Sequence, residues 1–240
     1  MKNFNHNFSE LLLLANEKIT FQDENNFSFQ LTPMTVKDLY FNNDLIWFLG
    51  LLEKEIDELE KSFPLTEITS HYNFITIILT LAEKNKGLKD LANSIINGLK
   101  IIVPEIYFEA KQLKIKDISV NEKLFNQIIE VVYKILGKEK IVINPDDDEF
   151  TRKEKEIKLR AQRIKAKGKK VGEGKGVKIE DWFAALIYEF PQYKIEDIFN
   201  LNIYTFHYLF KYVGKIANYE VSKIAAGNGL TKKHKYFIEK

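Results

Sequence analysis

Four histidines, His6, His71, His207 and His234, are the side chains best suited to move a proton or hold a metal near neutral pH. Their spacing supports neither role. None has a second histidine or a carboxylate placed to make a recognisable metal motif. They read as structural or solvated residues, with His207 an interior or interface residue among aromatics. The glycines of Val171–Gly172–Glu173–Gly174–Lys175–Gly176 suggest a phosphate loop. They lack the G-x-x-x-x-G-K-[ST] spacing and a preceding apolar strand, and a dinucleotide fingerprint fails at its third glycine. A flexible linker accounts for them better. Asn144, Asp146 and Asp148 begin like a calcium loop, but the required glycine is Glu149 and the closing position is Lys155. Asp146 to Glu149 read instead as carboxylates at the start of a helix, where the macrodipole favours them. No acid, base, nucleophile or metal set can be assembled. The expectation is a non-enzymatic protein with no catalytic, cofactor-binding or metal-binding residues.

Two other groups of residues could make contacts. Residues 151–178 hold twelve Lys and Arg against three Glu, a local charge of +9. The remainder carries 24 basic and 31 acidic side chains, or −7, so the net +2 hides a mildly acidic body split by a cationic segment. All three arginines, Arg152, Arg160 and Arg163, lie there. With Lys158 and Lys167 they are the candidate partner-binding cations, spread along a helix-compatible stretch whose apolar stripe is only Ile157, Ala161 and Ile164. So narrow a stripe buries little, and the helix would be exposed or need a partner. Three uses follow: a hinge between two blocks, a steering surface for an acidic helical protein, or a nucleic-acid arm. The last is weakest, because the segment has no aromatic for base stacking and no reading module is visible. The second group is Tyr204, Tyr208 and Tyr212, recurring every four residues. That stripe is either a second buried face or an exposed contact surface.

Elements must position these groups. Residues 18–31 alternate apolar and polar on either side of Asp23–Asn26 and predict a β-hairpin. Thr35 and Asp38 predict a capping box, opening one helix from Val36 towards Lys61. Further helices are expected over 68–84, 88–99 and 122–136, the last with Asn121 as cap and Gly137 as terminator. Residues 100–118, with Ile101–Val103 and Ile106–Phe108 among them, predict two short strands. After the basic segment the spacing of Trp182, Phe183, Leu186 and Phe190 marks a helix ended by Pro191. A short helical turn over 194–199 and two helices from 203 and 219 follow. The fold class is therefore α+β and mainly α: an N-terminal hairpin with a helical body (1–145), an acidic-then-basic linker (146–178), and a small C-terminal helical bundle (179–240).

The totals bound the rest. With 45% apolar residues the 240-residue chain has ample core material, and no cysteine is available for disulfides or thiolate sites. The N-terminus does not read as a signal peptide, and no stretch approaches the ~20 apolar residues that span a bilayer. The expectation is a soluble, intracellular protein without a membrane partner.

The order of segments also resembles a known family. A strand pair leads into Pro33-x-Thr35-x-x-Asp38 and a helical middle, and a Lys/Arg-rich linker precedes Trp182–Phe183 and the run from Tyr193 to Phe206. Together with Tyr219–Glu220–Val221 and Ala225–Ala226–Gly227, this resembles the tail assembly chaperones of long-tailed phages and prophages of low-GC bacteria. The resemblance implies an assembly factor in the host bacterial cytoplasm that binds the long helical tape measure protein and helps recruit tail tube subunits. It carries over no residue roles. Two alternatives stand beside it: a structural virion component at the head–tail junction or in the tail, and a nucleic-acid-binding module using the basic arm.

Overall fold

Cross-strand aromatic pairing sets up the N-terminal sheet. In the computed structural model, which describes residues 4–63, 68–138, 148–150, 152–154, 157 and 179–227 (side chains of the last stretch over 180–220), β2 (Ile19–Asp23) and β3 (Ser28–Leu31) form the expected hairpin. Phe21 lies directly opposite Phe29, their rings stacked at 4.9 Å. A third antiparallel strand, β1 (Phe4–His6), pairs with β2 and places His6 against Phe21. Between β1 and β2, Ser9 caps a short α1 (Glu10–Leu14) that buries Leu13.

The helix expected over 36–61 is three helices. The capping box at Thr35 and Asp38 is formed, with the Asp38 N–H donating to Thr35 Oγ1 at 3.1 Å, and opens α2 (Val36–Phe41). Asn42 then turns extended and its Oδ1 caps α3 (Asn43–Glu53), accepting from the Leu45 N–H at 3.0 Å. Extended Lys54 and Glu55 separate α3 from α4 (Ile56–Ser62). Breaking the chain twice lets each short helix turn its own apolar face inward.

Helix α5 (His71–Ala82) and α6 (Lys89–Ile102, after a 3-10 turn over Lys86–Leu88) complete the central layer. Gly98 lets α6 approach α3 closely, since a Cβ there would lie 2.6 Å from Phe48 Cβ and 2.9 Å from the Asp44 carbonyl. Ile101 and Ile102 are the last turn of α6 and not a strand, because α6 continues to the extended Val103. The expected strand pair follows as β4 (Ile106–Glu109) and β5 (Gln112–Ile115), extended to three by β6 (Ile118–Ser119). Next comes α7 (Glu122–Ile135), capped by Asn121 and ended before Gly137 at φ +64°. Its buried stripe, from Leu124 through Ile135, runs against the core, and the Tyr133 hydroxyl donates to the Leu52 carbonyl at 2.9 Å. Burying a phenylalanine or leucine fully contributes roughly 1.5–3 kcal/mol. Phe48, Phe74 and Phe125, each under 2% exposed, anchor this layer.

The C-terminal residues form α8 (Ile179–Glu189), α9 (Ile195–Asn200) and α10 (Ile203–Gly227). The two helices expected from 203 and 219 are one, since neither glycine nor proline interrupts Lys215 to Ala226. The architecture is α+β and mainly helical, with two three-stranded antiparallel sheets among the described residues.

Candidate functional site

The aromatic residues of α8 to α10 form a stacked layer. Trp182 lies on Phe210 at 4.5 Å and 21°, and faces Phe206 at 6.0 Å. Phe183 meets both Phe206 and Phe199 edge-on, and Phe199 in turn meets Phe41 of α2 at 5.3 Å. The layer is thus continuous with the N-terminal helices. Edge-on and offset pairs of this kind add about 0.5–1.5 kcal/mol each beyond area burial.

A polar clasp fixes the attachment. Asn202, 1% exposed, donates through Nδ2 to the Leu13 carbonyl at 2.6 Å and to Asn16 Oδ1 at 3.2 Å. Its Oδ1 accepts from the Thr205 N–H at 2.8 Å, capping α10. Around it Thr35 and Asn202 form an antiparallel bridge, with the Val36 N–H donating to the Leu201 carbonyl and the Ile203 N–H to the Met34 carbonyl, both at 2.8 Å. Ile198, Ile203 and Phe206 are fully buried beside it.

The expected tyrosine stripe divides between its two readings. Tyr204 is half-buried against α1, and that burial, with a hydrogen bond to Glu10, pushes its phenol up to about 12. Tyr208 is 47% exposed and Tyr212 36%. Tyr188 on α8, which the sequence did not single out, is 84% exposed. Of the candidate cations, Arg152 is exposed in a helical turn whose N–H donates to the Asp148 carbonyl at 2.9 Å, next to a Lys153–Glu149 ion pair. Lys158, Arg160, Arg163 and Lys167 lie outside the described residues, as do most of the glycine-rich and calcium-like stretches.

The three described histidines are not gathered, and His234 lies outside the described residues. His71 Nε2 meets the Lys54 carbonyl at 2.9 Å, His6 lies by Phe21 and Phe8, and His207 packs against Trp182 and Phe206. Burial, aided by the Lys138 ammonium, holds His207 below its ordinary 6.5, and burial with Lys134 does the same to His6. Among the described residues no cluster of His, Asp and Glu could hold a metal ion, and no helix is long and apolar enough to cross a membrane.

One feature lay beyond sequence reasoning. A cleft of about 380 Å³ opens between α2 and α9, lined by Lys37, Phe41, Glu196, Phe199 and Asn200. Phe41 and Phe199 are remote in sequence, so only the docking of α9 on α2 creates it. A more polar cleft of about 260 Å³ runs between β3 and the turn before β4, past Lys18, Thr32 and Glu105. Compared with protein-family models, curated proteins and solved structures, the chain matches none.

Proposed function

We propose that this chain is a non-enzymatic assembly factor, a phage tail assembly chaperone that binds the helical tape measure protein and promotes growth of the tail tube around it in the host cytoplasm. The observation that supports the reading best is the exposed aromatic surface of the C-terminal helices. Tyr188, Tyr208 and Tyr212 remain accessible above a layer that already has its own stacked core. Accessible tyrosines combine apolar area with a polar tip and few rotatable bonds, and are enriched where proteins meet. The +9 segment adds attraction for an acidic helical partner.

Deletion of residues 151–178 tests this reading. The deleted chain should keep its melting temperature within a few degrees, yet retain much less tape measure protein on affinity co-purification at low salt. Equal retention would remove the basic segment from the contact. Mass spectrometry of purified particles separates the chaperone from a structural component, because a chaperone is scarce in finished virions.

A further inference from the structure

Phe41 is 63% exposed at the end of α2, and Ile195, one turn before Phe199 on α9, is 53% exposed. Phe41 and Phe199 meet edge-on at 5.3 Å and form the apolar floor of the cleft between the two helices. The cleft is open to solvent, whereas ligand sites enclose most of their occupant. Its lining comes wholly from two helices, a wall that suits a helix laid into a groove and not an added strand. The walls differ in charge: Lys37 stands one turn from Phe41 on α2, and Glu196 stands beside Phe199 on α9. α2 starts just after the antiparallel bridge and α9 ends just before it, so the bridge holds the groove ready before anything enters it.

Resting on the reading that this chain acts by binding a helical protein, we propose that the α2–α9 cleft receives one turn of an amphipathic helix from a partner protein. A large apolar side chain of the partner seats between Phe41 and Phe199. An acidic residue about one turn from that anchor meets Lys37, and a basic residue on its other side meets Glu196. Charges on opposite walls fix the direction in which the helix lies, and the phenyl rings supply the anchor site.

The test pans the full-length chain against a display library of 18-residue helix-forming peptides. Enriched peptides should carry Leu, Met, Phe or Trp flanked by an acidic and a basic residue. In fluorescence anisotropy, Phe41→Ala and Lys37→Glu should each weaken them at least tenfold, while both variants still melt in one cooperative transition. Exchanging the peptide's acidic residue for Lys should restore binding to Lys37→Glu. Peptides without that pattern, or binding Phe41→Ala as tightly as the parent chain, would overturn the proposal. So would sedimentation showing that Phe41 mediates self-association, since the occupant would then be a second copy. If the cleft fails while the chain still keeps the tape measure protein soluble, only this inference falls. If peptides bind the cleft but that protein precipitates, the chaperone reading falls and the groove stands.

Discussion

Asn202 caps α10 and His207 lies in its first two turns, and each makes the attachment sensitive to a different perturbation. Replacing Asn202 with Ala removes the donors to Leu13 and Asn16 and the cap on Thr205. Leaving buried polar groups short of partners costs roughly 1–3 kcal/mol each. Urea unfolding of Asn202→Ala should therefore show a loss of about 2–3 kcal/mol, accompanied by faster proteolysis within 190–220. His207 and His6 act through pH. Both are held below 6.5 in the folded chain, so between that folded value and 6.5 the unfolded chain binds more protons. The stability they give is present above about pH 6.5 and is lost as pH falls through the folded values. A melting temperature followed from pH 7.5 to 5.5 should decline, and His207→Gln should make the decline shallower. An unchanged slope would show that His207 is not held neutral by its surroundings.

Individual elements carry local strain that a substitution can relieve. The β4–β5 hairpin turns through Ala110 and Lys111, both at positive φ (50° and 63°). Two-residue turns of this hand favour Asn-Gly, because a Cβ is costly in the left-handed region. Ala110→Asn with Lys111→Gly should stabilise the chain by about 0.5–1 kcal/mol in thermal melts. Element identity was largely legible in the residues: the Phe21/Phe29 hairpin, the Thr35–Asp38 box, the Asn121 cap and Gly137 terminator all follow local rules that the fold obeys. Breaks within a continuous apolar pattern were not. The apolar spacing over 36–61 runs on through Asn42 and Lys54, where the backbone turns extended and the helices end. Strand β1 escaped for a related reason, since three residues have no period and gain their structure only by pairing with β2.

At the scale of the molecule, the blocks before and after the basic segment share one apolar core, with Ile198, Ile203 and Phe206 buried in it and Phe41 meeting Phe199 across the seam. The candidate site was legible only in part. Tyr208 and Tyr212 could be named from their spacing, but not their exposure, because that depends on how much of α10 is covered by α8 and α1. The α2–α9 cleft had no signal in the sequence at all, being made by two segments remote from each other. Surface of this kind, anchored by the polar clasp at Asn202, supports the proposed role of binding another protein. The measurement that tests the proposed role most directly is the soluble fraction of a phage tape measure protein expressed alone and together with this chain. The account predicts that the protein precipitates alone and stays soluble in a complex that co-purifies with this chain. Equal precipitation with and without the chain would contradict it.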